Sequence, residues 1–326
     1  MLKSVKVMIK GAQLYILLLS TTIINVTGGF KDPTVLHIAS ERGYVEVVKL
    51  LINNGANVNA TDVVGCTALH LASVSGSIVA KEFGQDSEDL SNNKEGYLEI
   101  IKLLLNSGAD INARIVSGDN YDGMIALHLA VFKNSPLEIV DLLLNGGADI
   151  NSHIVSEGDC AGMTALHLAV GSNNVENIKF LIERGADINA VNADGYTVLH
   201  FAAMYGREDV VELLINKKVD INVVTLCGFT PLHISVRHGH ISVIEILIEQ
   251  GSAINKKDNY GCIPLHDAVN HGNVGIIRFL LENVANINEK DNNGFTPLDY
   301  AIRAKNTRVA GFLINNGAHK GENVLN

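Results

Sequence analysis

The 326-residue chain has no tryptophan, only 5% aromatic residues, and fewer basic than acidic residues. Its 25 Lys and Arg against 35 Asp and Glu give a formal net charge of −10 at pH 7. No basic stripe stands out along the sequence. Because proteins bind phosphate groups through a basic face, this composition argues against a nucleic-acid partner.

Signatures of catalysis are also missing from the sequence. It contains no glycine-rich phosphate loop, no H-E-x-x-H and no G-x-S-x-G motif. These motifs supply the phosphate cradle, the zinc ligands or the activated nucleophile of common enzyme classes. We therefore expect no enzymatic activity, no cofactor and no metal site.

Cysteine is scarce, and its four copies form no C-x-x-C pair. They stand far apart in the sequence, at Cys66, Cys160, Cys227 and Cys262. Packed helices lie about 8 to 10 Å apart, whereas a disulfide needs Cα atoms within about 7 Å. We therefore expect a fold that does not depend on disulfides.

One six-residue pattern, T-x-L-H-x-A, recurs along most of the chain. Its copies begin at Thr34, Thr67, Ile125, Thr164, Thr197, Thr230, Ile263 and Thr296. Neighbouring starts are 33, 58, 39, 33, 33, 33 and 33 residues apart. A fixed period of this size indicates stacked repeat units.

The period and the core pattern resemble the ankyrin repeat, and the match runs from about Phe30 to Lys320. The resemblance implies an all-α repeat solenoid in which each repeat is a helix-turn-helix plus a β-hairpin. A helix pair this short cannot bury its apolar faces alone, so each repeat must be covered by the next. We expect one ankyrin-repeat domain of about eight repeats over residues 30–322, followed by a tail at 323–326.

Seven of the twelve histidines occupy the same position in the pattern: His37, His70, His128, His167, His200, His233 and His266. The resemblance implies that each is a structural imidazole, hydrogen-bonded to backbone near the start of a helix. It does not imply a metal ligand.

Glycine ends the second helix of most repeats, as at Gly185, where it can adopt the left-handed conformation. Two repeats have Lys218 and Val284 at this position instead. A β-branched residue in that conformation costs about 1 kcal/mol or more. We therefore expect another turn geometry at Val284 and a local weak point there.

Residues 1–29 allow three interpretations. Three lysines followed by the uncharged residues 11–30 are typical of a secretory signal over residues 1–28. The run Leu17-Leu18-Leu19 followed by Ile24-Asn25 instead resembles a degenerate capping repeat. Residues 11–30 are also marginal as a membrane anchor. The first interpretation predicts a secreted protein, the second a cytoplasmic one, and the third a membrane contact.

Insertions interrupt the repeats near residues 77–96, 113–122 and 152–161. The first is acidic and contains few large apolar residues, which predicts a mobile acidic loop, either with a role of its own or as a tolerated insertion without one. The other two read ARIVSGDNYDGM (113–124) and SHIVSEGDCAGM (152–163), and they share Ile-Val-Ser and Gly-Met at an offset of 39. They predict two matched, lengthened fingers side by side, which are either a binding feature or a duplication product.

Ankyrin proteins usually bind partners on the concave face that hairpin tips and first helices form. Aromatic, Met and Arg residues dominate the energy of such interfaces. The candidate partner-binding residues are Tyr196, Met204, Tyr205, Leu226, Phe229, Arg237, His238, Tyr260 and His271, with Tyr121 from the first lengthened finger.

Together these features predict a non-catalytic, monomeric scaffold that binds one or more partner proteins. The alternative is an exported ankyrin-repeat effector or toxin that acts on a target outside the producing cell. The two hypotheses differ in the role of residues 1–29.

Overall fold

The protein is described here by a computed structural model that covers residues 33–74, 94–116 and 121–321. Residues 1–29, most of the 77–96 insertion and the tail at 323–326 therefore lie outside the described residues. The chain divides into two compact units, Met1–Ala161 and Gly162–Asn326.

In unit 1 the described residues form six helices: α1 (Val35–Glu41), α2 (Val45–Asn53), α3 (Ala68–Ser73), α4 (Lys94–Asn106), α5 (Ala126–Phe132) and α6 (Leu137–Asn145). In unit 2 they form ten: α7 (Ala165–Gly171), α8 (Val175–Glu183), α9 (Val198–Met204), α10 (Glu208–Asn216), α11 (Pro231–His238), α12 (Ile241–Glu249), α13 (Pro264–Asn270), α14 (Val274–Glu282), α15 (Pro297–Arg303) and α16 (Thr307–Asn315).

Helices pack in the order that the repeat predicts. Within unit 2, α9 packs on α7 and α11, α13 packs on α11 and α15, and α10 packs on α12. The apolar residues between the layers are fully buried, as at Leu214, Leu232 and Leu265. Each repeat therefore covers its neighbour in the same unit, and the predicted all-α repeat solenoid is confirmed.

The segments between repeats are turns, and no extended strand is assigned to them in the part of the chain that the structure describes. Isolated antiparallel bridges join Thr61 to Thr67 and Val191 to Thr197. In the described residues the expected β-hairpin is therefore reduced to a tight turn, which one bridge closes in two of the repeats. We call these turns the fingers.

The seven pattern histidines bond as the resemblance implies. In all seven, the ring Nδ1 accepts the backbone N–H of the residue that precedes the helix, at 3.1 to 3.3 Å. The ring proton therefore lies on Nε2. In His200 it is donated to the carbonyl of Phe229 at 2.9 Å, in the following finger. The ring thus joins its own helix to the next repeat.

Lys218 and Val284 both adopt the left-handed conformation, with φ of 63°. The expectation of a different turn geometry at Val284 is therefore wrong. At Val284 the backbone N–H donates to Leu281 at 3.1 Å, and the next N–H, of Ala285, donates to Leu280 at 2.9 Å. The neighbouring repeat adds a bond from Asn255 Nδ2 to the Val284 carbonyl at 3.2 Å. These bonds impose the glycine geometry on a valine.

Candidate functional site

The fingers of unit 2 and the ends of its first helices carry nine of the ten candidate residues. The most exposed are Leu226 at 70%, Tyr260 at 59% and Tyr205 at 42%. His238 and His271 are also exposed, whereas Tyr196, Met204 and Arg237 are half-buried. We call this surface the unit 2 face.

Backbone hydrogen bonds hold successive fingers of this face together. The N–H of Leu226 donates to the Asp194 carbonyl at 3.0 Å, and the N–H of Asn292 donates to the Tyr260 carbonyl at 2.9 Å. A Cβ on Gly195 would lie 2.8 Å from the Leu226 nitrogen, so the backbones are in direct contact. The exposed side chains of Leu226 and Tyr260 therefore project from a fixed backbone.

Phe229 lies under this surface and is only 8% exposed. The Arg237 guanidinium carbon lies 3.6 Å from the centroid of its ring. This is a close cation–π contact, which is strongest where water is excluded. Phe229 therefore positions Arg237 and presents little area of its own to a partner.

Arg237 also pairs with two buried carboxylates. Its Nη2 lies 2.9 Å from Asp267 Oδ1 and 4.0 Å from Asp258 Oδ2. Burial raises the pKa of Asp267, and the attraction of the Arg237 charge opposes that rise. The guanidinium thus contacts two carboxylates and an aromatic ring, and these contacts fix its orientation.

The aromatic end of the face is built around Phe201. Its ring centroid lies 5.9 Å from that of Tyr196 and 6.2 Å from that of Tyr205. Burial raises the pKa of the Tyr196 phenol. The backbone of Met204 takes part in the fold, since its carbonyl accepts His240 Nε2 at 2.9 Å.

The two candidate histidines of the face, His238 and His271, lie on the surface. The rings of His238 and His240 stack with centroids 6.2 Å apart and planes 4° from parallel. Partial burial and the nearby His240, His271 and Arg237 lower the pKa of His238. His271 Nδ1 donates to the Asp267 carbonyl at 2.9 Å. Within the described ranges no group of three ligand-type side chains could hold a metal ion.

Tyr121 lies in unit 1, at the described end of the first lengthened finger. Its hydroxyl contacts Lys133 Nζ at 2.6 Å, and the same ammonium lies 4.7 Å from the centre of its ring. Phe132 packs edge-on against it at 6.3 Å. Its phenol is therefore already partnered, and it belongs to a different unit from the other nine residues.

The two lengthened fingers are in contact, as the sequence predicts. Arg114 Nη1 donates to the carbonyls of Gly123 at 2.9 Å and His153 at 2.8 Å, and its Nη2 donates to Ser152 Oγ at 3.1 Å. One side chain thus joins both fingers within unit 1. Sequence reasoning located the fingers through their shared Ile-Val-Ser, but it did not single out Arg114 or the valines.

Comparison with known proteins places the repeats in a family. A model described as ankyrin repeats (three copies) matches residues 4–85, 91–192, 153–225, 189–258, 217–291 and 253–323, and a single ankyrin-repeat model matches 64–115. No helix among the described residues is long and apolar enough to cross a membrane.

Two curated proteins are similar over part of the chain. One, from Rickettsia bellii (strain RML369-C), is described by its name as an ankyrin repeat protein; it is 38% identical over 96 residues, which are 29% of this chain and 31% of that protein. The nuclear factor NF-kappa-B p105 subunit of Gallus gallus is 37% identical over 114 residues, 30% of this chain and 11% of that protein. The match thus spans less than a third of either relative. Because the family model covers most of the chain and the helices repeat as it requires, the protein belongs to the ankyrin-repeat family.

Proposed function

We propose that this protein is a non-catalytic scaffold that binds partner proteins through the unit 2 face and the lengthened fingers. Ankyrin repeats mediate protein–protein contacts, and ankyrin proteins are generally adaptors without catalysis. The family model shows the family, whereas the partners, the monomeric state and the absence of nucleic-acid binding are parts of the proposal. The acidic composition supports the last of these.

The observation that carries the proposal is the exposure of Leu226 and Tyr260 on hydrogen-bonded fingers. Large apolar side chains on a fixed backbone lose little conformational freedom on binding, which favours affinity. Arg237, held between Phe229 and Asp267, adds a charged anchor whose geometry is set in advance. This combination of aliphatic, aromatic and arginine groups is the usual composition of interface hot spots.

The test compares protein capture by the unchanged full chain and by two double variants. Leu226→Ser with Tyr260→Ser alters the face, whereas Ile241→Ser with Ile314→Ser alters exposed apolar residues of second helices, which are 46% and 56% exposed. We expect the first pair to lose specific partners and the second pair to retain them. Circular dichroism checks that both variants are folded. Identical capture by all three proteins would contradict the proposal.

The role of residues 1–29 stays a separate proposal. The family match that begins at residue 4 supports the degenerate capping repeat more than a secretory signal. We propose this interpretation, which makes the protein an intracellular scaffold rather than an exported effector. The intact mass of the protein from its own cells tests it, because a chain that starts near Gly29 would establish processing and favour the effector.

A further inference from the structure

Unit 1 presents four exposed valines on three successive fingers. Val63 is 53% exposed, Val64 38%, Val116 80% and Val155 65%. We call these residues the valine row. Val116 and Val155 are the central residues of the two Ile-Val-Ser segments, so the same residue is exposed in both lengthened fingers.

The isoleucine that precedes each of these valines points the other way. Ile115 is 1% exposed and Ile154 is 2% exposed. Successive side chains of an extended segment lie on opposite sides of the backbone. Each buried isoleucine therefore fixes the direction of the valine that follows it, which stays in water in both fingers.

Close backbone contacts hold the row in place. A Cβ on Gly65 would lie 2.5 Å from the Val116 nitrogen, and a Cβ on Gly123 would overlap the Val155 carbonyl. Arg114 adds three hydrogen bonds across the two lengthened fingers. The valines therefore stand on a backbone that is already ordered before any partner binds.

The exposed valine side chains do not stabilise the folded state, because apolar side chains stabilise a protein only when they leave water. A contiguous exposed apolar patch bordered by polar residues marks an interaction surface. The charged residues beside the valines determine which kind of partner can bind there. Within their described residues, the three fingers that carry the valine row contain four carboxylates, at Asp62, Asp122, Glu157 and Asp159, against one Lys or Arg, Arg114.

The Arg114 guanidinium is turned into bonds between the fingers, whereas Glu157 and Asp159 are exposed. The border of the row is therefore acidic. A second copy of this chain would bring another acidic border against it, and like charges oppose that contact. A basic partner gains from the same field.

We propose that the valine row binds a segment of a partner protein that presents aliphatic side chains flanked by Lys or Arg. This rests on the proposed function, and it adds the chemistry of the partner at one surface. The valines receive the aliphatic side chains, and Glu157 and Asp159 face the cations.

The test uses the full chain and two synthetic helical peptides of about 18 residues with one apolar face. One peptide combines Leu with Lys, and the other has the same pattern of Leu with Glu. We expect the Lys peptide to bind at least about tenfold more tightly than the Glu peptide, with an affinity that falls as salt is added.

Variants then locate the binding. Val116→Thr with Val155→Thr keeps the β-branched shape and removes apolar surface, so we expect about a tenfold loss in affinity for the Lys peptide. Val191→Thr with Val224→Thr is the matched control in unit 2, where these valines are 47% and 43% exposed. It should leave the affinity unchanged.

Charge variants complete the design. Glu157→Gln with Asp159→Asn should weaken binding several-fold and flatten its salt dependence, while Glu245→Gln with Glu249→Gln should change neither. The inference is overturned if neither peptide binds, if both bind equally, or if the Val116 and Val155 variants bind as the unchanged protein does. A dimer that these threonine variants dissociate would assign the row to a second copy and would also overturn it.

These outcomes are separable from those of the proposed function. Capture that depends on Leu226 and Tyr260, with no binding at the valine row, would leave the scaffold proposal standing and remove this inference. Peptide binding at the valine row, together with protein capture that does not depend on Leu226 and Tyr260, would support this inference and contradict binding at the unit 2 face.

Discussion

Replacing Val284 by glycine should stabilise this protein, although it removes a side chain. Val284 has φ of 63° and is 79% exposed. The equivalent residue one repeat earlier is Gly251, with φ of 88° and no atom within 4 Å of where its Cβ would be. The valine is thus forced into a glycine conformation and gains almost no burial in return.

The size of the effect follows from three contributions. A β-branched residue with positive φ is strained by about 2 to 3 kcal/mol, the upper part of the usual range for such residues. Glycine loses about 0.4 to 1 kcal/mol more conformational entropy on folding. The buried fifth of the valine side chain accounts for about 0.5 kcal/mol. The net expectation is a gain of about 1 kcal/mol in the free energy of unfolding, or roughly 2 to 4 °C in Tm for a unit of this size.

Thermal and urea unfolding of Val284→Gly measure the global gain. Amide exchange at Ala285, whose N–H donates to Leu280 at 2.9 Å, measures the local one. Lys218→Gly is the first comparison, since Lys218 has the same φ of 63° without β-branching. It should gain less. Gly251→Val is the second comparison and should lose stability by a similar amount, because only its backbone conformation is affected.

An unchanged or lower Tm for Val284→Gly would refute the reasoning if Gly251→Val is destabilising. That pair of results would mean that the turn at Val284 is held by something that glycine weakens. A neutral Gly251→Val would refute it more generally, because the left-handed position would then tolerate valine without strain.

Two further predictions concern the histidines and the contact between the lengthened fingers. Burial lowers the pKa of four pattern histidines to about 4, namely His70, His128, His200 and His233. Their unfolded pKa is about 6.5, so their contribution to the free energy of unfolding is fully present above that pH and is lost as pH falls towards 4. At pH 5.5 each ring lowers the free energy of unfolding by about 1.4 kcal/mol, and the four together lower it by about 5.6 kcal/mol. Urea midpoints at pH 7.5 and 5.5 check this, and equal midpoints would show that the rings are not buried neutral. At Gly123, with φ of 75°, an alanine Cβ would overlap the Val155 carbonyl, so Gly123→Ala should cost about 3 kcal/mol or more. Gly147→Ala, with φ of 98° and open space, should cost only about 1 kcal/mol, and similar urea midpoints for the two variants would contradict the close contact.

The repeat fold could be predicted in detail because each element follows from a local rule. Thr230, Pro231 and His233 mark a helix start, and the structure places α11 there with the expected ring bond. The prediction at Val284 is wrong because it considers only the conformational preference of the valine itself. Its conformation is set by bonds to the preceding helix and by Asn255 of the neighbouring repeat, which outweigh the preference of one residue.

The sequence predicts where in the repeat the candidate site residues lie, but not which of them are exposed. Phe229 and Tyr260 both stand in fingers, yet Phe229 is 8% exposed and Tyr260 is 59% exposed. The difference depends on Arg237, which covers the Phe229 ring from the next helix. Such contacts join residues of different types across elements and leave no periodic signal in the sequence.

The second residue of each finger turn differs among the repeats, although the turn stands at the same place in each repeat. It is Val63, Val116 and Val155 in unit 1, but Ala193, Leu226, Asn259 and Asn292 in unit 2. The Nδ1 bonds of the seven pattern histidines and the buried leucines do not vary in this way, since they fix the helix starts and the packing of the repeats. Because the finger backbone is fixed by its neighbours, a change at its tip alters the surface without altering the fold. The apolar, acid-bordered row of unit 1 and the aromatic and arginine face of unit 2 are therefore chemically distinct surfaces on the same repeat backbone.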